Sequence, residues 1–132
     1  MNFADSGAFL AKLHRNDQHS REAARLWPTL DRPVQTSNLV VAEVAKLLAW
    51  RLGYAFAAAR IADLYASDTI DILISTRDDE IEALTWMRKF ADQRIGFTDC
   101  VSFAIMRRHK IRTAFTFDPH FRLAGFRTIG LK

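Results

Sequence analysis

A chain of 132 residues, 49% hydrophobic and 26% charged, has room for one hydrophobic core and is too apolar for a disordered or collagen-like polypeptide. Nineteen Lys and Arg against fifteen Asp and Glu leave a net charge of +4, which admits a polyanionic partner without demanding one. The single cysteine allows no internal disulfide and suits a reducing compartment, and no apolar run is long enough to span a bilayer. The longest run, residues 39–50, carries Glu43 and Lys46, and the N-terminus lacks a charged-then-apolar leader, so a cytoplasmic location is expected.

Residues 1–4 read as a minimal strand ending on Asp5, and 7–13 as a short helix. Taken alone, Asp5 is as well explained by helix capping as by chemistry. Asp17 is placed to cap a second helix whose Ala23, Leu26, Trp27 and Leu30 form one apolar stripe until Pro28 kinks or ends it. His14 and His19 lack partners at metal-ligand spacing and read as structural. Residues 33–36 make a second strand, with Ser37 or Asn38 capping the next helix. In that helix Glu43 and Lys46 allow two readings: an i,i+3 ion pair on a solvent stripe, or a carboxylate aimed back at the strand edge. Gly53 ends it, and the helix that follows should turn Ala57, Ile61, Leu64 and Tyr65 inward. Residues 69–74 give a third strand with Ile70, Ile72 and Ile74 on one face. Ser75 or Thr76 then starts a helix whose Asp78, Asp79 and Glu80 are most simply a capping box and dipole complement. Its Ile81, Leu84, Met87 and Phe90 are expected to pack inward.

The stretch 95–121 is the most informative. Thr98 is a good N-cap and Asp99 follows in the first turn, where the helix dipole favours negative charge. From Cys100 to Met106 the helix is apolar on nearly every side, so it should be covered all round, with Cys100 a core residue rather than a nucleophile. Arg107, Arg108, His109 and Lys110 crowd its carbonyl end. Residues 113–117 read as an inner parallel strand stopped by Asp118-Pro119, and 126–129 as a last edge strand. Strands alternating with helices give an α/β fold, one domain over 1–132 around a mostly parallel sheet.

Asp5 and Asp118 thus end strands, Asp99 opens a helix, and Glu43 lies one to two turns into another. An open parallel sheet binds ligands at the carboxyl ends of its strands, which brings these acids to one edge. Four convergent carboxylates with no equally placed lysine or arginine cannot all ionise unless something neutralises them. Hard Mg²⁺ does this best, since it takes carboxylate oxygens and shares its remaining positions with phosphate. Two such ions can activate a water and stabilise the leaving oxygen of a phosphodiester.

The chain resembles the PIN-domain nucleases, and specifically the VapC-type toxins of bacterial and archaeal toxin–antitoxin modules. The resemblance covers nearly the whole chain. It is carried by DSGAFLA at Asp5, D-x-H-x-x-x-A from Asp17 to Ala23, TSNLVVAEVAKLL around Glu43, FTDCVSFAIM around Asp99 and TFDPHFRLAGF around Asp118. It implies a five-stranded sheet of order 3-2-1-4-5, with the strands of Asp5 and Asp118 neighbours at the switch point. It implies that Asp5, Glu43, Asp99 and Asp118 hold Mg²⁺ or Mn²⁺ for RNA cleavage, and that the chain is a homodimer held by an antitoxin. Ser6 and Thr98 adjoin these ligands and could orient a water, though capping accounts for both. His120 belongs, in that family, to a structural turn without a catalytic role. Arg15, Arg94, Arg107, Arg108, Arg112 and Arg122 are candidates for guiding an RNA backbone. Leu10, Leu13, Trp27 and Leu30, with Trp50, Tyr54 and Phe56, offer apolar area for an antitoxin helix, whose arginine could pair with the carboxylates.

Other readings fit less well. A receiver domain needs an aspartate ending the third strand, which instead runs into Ser75-Thr76-Arg77. A haloacid-dehalogenase phosphatase needs a second aspartate where Gly7 stands. A catalytically silent PIN scaffold should have lost acids, and all four are present; a PIN nuclease of RNA processing without an antitoxin stays open. With no His–Lys pair suited to activating a ribose hydroxyl, water attack leaving 5′-phosphate and 3′-hydroxyl ends is expected.

Overall fold

The computed structural model describes residues 1–131. Phe3, Ala4, Ala114 and Phe115 are fully buried, which identifies the two strands that carry them as the centre of the sheet. These are β1 (Asn2–Ala4) and β4 (Thr113–Phe115), paired in parallel with Phe3 beside Ala114 and Ala4 beside Phe115. β2 (Val34–Ser37), β3 (Ile70–Leu73) and β5 (Arg127–Ile129) complete a five-stranded parallel sheet of order β3-β2-β1-β4-β5. The order reverses between β1 and β4, so the carboxyl ends of those strands open a crevice between the two halves. The expected fold and strand order are therefore present.

Local chemistry sets the helices. α1 (Ser6–Leu13) is capped by Asp5 and α3 (Asn38–Leu52) by Ser37, whose Oγ accepts from the Val40 N–H at 3.1 Å. α3 stops at Gly53, whose φ of +94° lies where a side chain would be strained, and α4 (Tyr54–Ala66) turns back against it. α2 (Ser20–Leu26) runs into a 3-10 turn at Trp27–Thr29 that contains Pro28. α5 (Arg77–Lys89) begins with a reciprocal capping box between Thr76 and Asp79, and α6 (Phe97–Arg108) buries every residue from Cys100 to Met106. Short α7 (His120–Leu123) precedes β5.

Two aromatic groups tie helices to the sheet: Phe9–Trp27–Phe115 on one side, and Trp86–Phe103–Phe121–Phe126 on the other. Each such ring is worth roughly 1.5–3 kcal/mol of burial.

Several sequence expectations fail, each for a physical reason. α5 turns Asp79, Ala83, Trp86 and Phe90 to the protein and leaves Ile81, Leu84 and Met87 exposed. The face is chosen by Asp79, only 3% exposed, which takes a forked pair of hydrogen bonds from Arg108 at 2.9–3.2 Å. Burial pushes the Asp79 carboxyl up, but Arg108 and the Thr76 hydrogen bonds outweigh it and hold the group below its ordinary range. Tyr65 is exposed rather than inward. Asp17 caps a turn, accepting from the His19 N–H at 2.9 Å, and leaves α2 without a side-chain cap. Thr98 is not the N-cap of α6 either: Gly96 holds that position with no side-chain bond, and the Thr98 carbonyl accepts from Ser102 Oγ. β4 ends at Phe115 rather than 117, because Thr116 bends the chain by accepting the Asp118 N–H on its own hydroxyl.

Candidate active site

The β1–β4 register carries one residue past each strand to a single point, setting Asp5 beside Thr116. Asp5 is 4% exposed. Its Oδ1 accepts from the Ala8 N–H at 2.9 Å and its Oδ2 from Thr116 Oγ1 at 2.5 Å. Burial drives its pKa up to about 7; those two hydrogen bonds pull the other way, and the charges of Asp99 and Asp118 add to the rise. Thr116 is in turn backed by Gly130, where a Cβ would stand 2.8 Å from the Thr116 carbonyl oxygen, so only glycine lets the chain after β5 lie this close.

Asp99 enters from the first turn of α6. Its pKa is also raised to about 7, by burial first and then by Asp118 and Glu43. Asp118 is fixed by its own turn: its N–H donates to Thr116 Oγ1 at 3.0 Å, and its Oδ1 accepts from the His120 N–H at 2.9 Å. Glu43 reaches the same cavity from α3. Lys46 does not pair with it but lies over the Trp50 ring at 4.7 Å, so the aimed-carboxylate reading of α3 fits and the solvent-pair reading does not. The four acids line one open cavity of about 720 Å³ that contains no lysine or arginine. Ser6 and Thr98 line it too, neither bonded to a carboxylate.

Four residues in or beside the cavity were missed or set aside. Thr116 orients both Asp5 and Asp118, and the spacing of a hydroxyl two residues before an aspartate was the signal available. His120 does sit in a turn, yet its Nδ1 also lies 3.1 Å from Asp118 Oδ1 and 3.5 Å from Asp99 Oδ2. One ligand atom from each of Asp99, Asp118 and His120 falls within 4.8 Å of the others. Phe97 and Phe117 supply an apolar wall, and Phe117 is held flat against His19, ring centroids 4.4 Å apart.

None of the six arginines proposed for a backbone lines this cavity. Arg108 is spent on Asp79; Arg107 lies over Trp86; Arg122 bonds Thr128 Oγ1 and the Leu131 carbonyl. Arg15 follows α1, Arg94 turns the chain before α6 with φ +54°, and Arg112 precedes β4. The apolar groups also separate: Leu10, Trp27 and Leu30 belong to the core, whereas Trp50 and Tyr54 are 69% and 78% exposed.

The donor set suits a hard divalent cation. It offers carboxylate oxygens from four elements, one imidazole, and protons to be displaced near neutrality from Asp5 and Asp99.

The PIN domain family matches residues 3–127. A Mycobacterium tuberculosis protein named 23S rRNA-specific endonuclease VapC20 is 34% identical over 126 residues, covering 96% of this chain and 95% of that one. A crystal structure of VapC20, described as a Sarcin-Ricin loop cleaving toxin, superposes with a TM-score of 0.90 at 32% identity over 96% of both chains. A toxin–antitoxin complex from Klebsiella pneumoniae (TM-score 0.70, 12% identity) and FitAcB from Neisseria gonorrhoeae (0.73, 19%) share the fold, each over 98% of this chain and 96% of theirs.

Proposed function

The chain belongs to the PIN domain family, and on that premise we propose that it is an endoribonuclease toxin of the VapC type, dependent on Mg²⁺ or Mn²⁺. The observation that carries this reading is the single cavity at the switch point, lined by Asp5, Glu43, Asp99 and Asp118 without a lysine or arginine. These four would hold the metal, with His120 beside it. When bound, such an ion supplies Lewis acidity to a water and to the phosphate oxygens.

The chain's own groups prepare the rest. Thr116 and the Ala8 N–H fix both oxygens of Asp5, so one carboxylate face is presented without a search over rotamers. Asp118 is locked by the His120 N–H, and the His120 ring stands where it can hold a proton between Asp118 and Asp99. Phe97 and Phe117 keep one wall dry and offer flat faces to a nucleobase.

The M. tuberculosis relative makes 23S rRNA, and a fragment bearing its sarcin–ricin loop, the first substrates to try. Incubation with Mn²⁺ should yield 5′-phosphate and 3′-hydroxyl ends, and chelator should stop it. Cyclic phosphate ends, or full cleavage in excess chelator, would overturn the mechanism.

An antitoxin belongs to this reading. The open cleft between α3 and α4, about 680 Å³ and lined by Ala45, Ala49, Trp50, Tyr54 and Ile61, fits the apolar face of a partner helix. The exposed strip Ile81, Leu84 and Met87 on α5 suits a second copy of the chain. A monomer that captures no protein encoded beside it would refute the partner assignment.

A further inference from the structure

A second concave site lies at the other ends of β4 and β5. Arg112 immediately precedes β4 and Arg127 opens β5, and the two are adjacent across the ladder, the Arg127 N–H donating to the Arg112 carbonyl at 2.9 Å. Arg107 and Lys110 reach the same pocket from the end of α6, closing around about 390 Å³ with Phe126 on its floor. No carboxylate lines it, and among the described residues none of the four cations has an acidic oxygen within 4 Å.

Part of this arrangement has a plain cause. Cations at the end of α6 complement its dipole, and Lys110, with φ +57°, forms the left-handed residue that terminates the helix. That accounts for Arg107 and Lys110 but not for Arg112 and Arg127. Arg127 faces Thr113 in the register, one residue from Arg112, so no carboxylate stands across the ladder to explain it. Arg108, one residue from Arg107, shows that this region can supply an acidic partner when a structural pair is needed. The four around the pocket are left without one.

We infer that the pocket formed by Arg107, Lys110, Arg112 and Arg127 binds phosphates of the RNA backbone at a distance from the cut. The inference rests on the endoribonuclease reading and extends it. Arg107 stands eight residues beyond Asp99 on the same helix, about 12 Å along its axis. Arg112 is a strand's length from Thr116, about 13 Å. A single-stranded fragment just long enough to fill the acidic cavity would not reach; a folded RNA lying across the surface would touch both. Such a contact also offers a cation-free acidic centre the attraction its polyanionic substrate otherwise lacks.

The test uses the full chain carrying Asp99→Asn, in chelator, so that the RNA stays intact. Binding of a labelled RNA hairpin and of a labelled single-stranded dinucleotide is titrated over a range of salt. Adding Arg112→Glu and Arg127→Glu should weaken the hairpin at least tenfold, and lower its salt slope by about 1.5. The dinucleotide should lose far less, and Arg77→Glu, an exposed reversal outside the pocket, should cost the hairpin little. Arg112→Gln with Arg127→Gln gives an intermediate loss and serves if the reversed protein misfolds. Equal losses for hairpin and dinucleotide, or for Arg77→Glu and the double reversal, would overturn the assignment. So would a reversal that spares the hairpin but abolishes binding of polyglutamate, which would give the pocket to an acidic protein segment. Failure of the parent chain to cut the hairpin in Mn²⁺ would instead bring down the nuclease reading itself.

Discussion

The acidic cavity and the basic pocket solve opposite problems with opposite chemistry. At the carboxyl ends of β1 and β4, Asp5 and Asp99 are drawn out of water, and two acids are wired in place: Asp5 has a bond to each oxygen, and Asp118 closes its own turn. At the amino ends of β4 and β5, long cations stand in solvent, Arg107 against the Trp86 ring and Arg112 and Arg127 joined through their backbones. Sheltering a carboxylate makes its position exact enough for chemistry and raises the cost of its charge. Leaving a guanidinium in water keeps its charge cheap and its reach long, which suits attraction rather than catalysis. The difference is one of burial before it is one of sign.

The comparison breaks most visibly if a sheltered acid is touched. Asp99→Asn should lower RNA cleavage in Mn²⁺ by ~10²–10³-fold or more in a single-turnover assay, on the scale of losing a group that acts on the transition state. The metal-free variant should melt no lower than the parent, because one repelling charge is gone. A variant that melts lower and still cuts would make Asp99 a mere helix-end residue.

Next in size is the boundary between the two regions. Arg108→Ala strands the buried Asp79 without its forked partner and should cost roughly 3 kcal/mol in denaturant unfolding. Hairpin affinity should fall far less than with the Arg112 and Arg127 reversal. Equal affinity losses would mean that Arg108, too, serves the RNA.

Thr116 tests whether orientation of the acids counts. Thr116→Val removes the donor to Asp5 Oδ2 and the acceptor of the Asp118 N–H, and should reduce cleavage about tenfold, within the range for groups that orient metal ligands. Thr116→Ser should restore most of it. An equally impaired serine variant would point to packing of the lost methyl instead.

The smallest effect is on stability against pH. In metal-free protein Asp5 and Asp99 have pKa values raised from 3.8 to about 7. Between roughly pH 4 and 7 the unfolded chain has released these protons while the folded chain keeps them. Folding is therefore favoured at the acid end of that window and loses ground as pH rises through it, levelling off above 7. Melting in chelator should be several degrees higher at pH 5 than at pH 7.5. Asp99→Asn should flatten the slope, and a parent whose melting point rises toward pH 7.5 would contradict the shifts.

Much of this was legible in the chain. Strand ends and caps are local events, and Asp5, Ser37, Thr76 and Gly53 announce them within four residues. Asp5, Asp99 and Asp118 could be placed at one edge because each adjoins a recognisable start or stop, whereas Glu43, inside α3, needed its family context. What stayed hidden depends on partners distant in sequence. The buried face of α5 was misjudged because three large apolar residues, Ile81, Leu84 and Met87, pointed to the wrong side. The deciding contact, Asp79 with Arg108, spans 29 positions. His120 looked like part of a turn because it is one; only the approach of α6 gives its ring a second neighbour in Asp99. Arg108 could not be told from Arg107 by spacing, although one is engaged and the other free of acids.

α6 links the two regions and limits how the protein can change. It carries Asp99 in its first turn and Arg107 in its last, and the stretch between is enclosed by protein. One inserted residue would swing Arg107 by about 100° and drag buried side chains off their neighbours. The separation between Asp99 and Arg107 is thus a fixed gauge that substitutions cannot adjust.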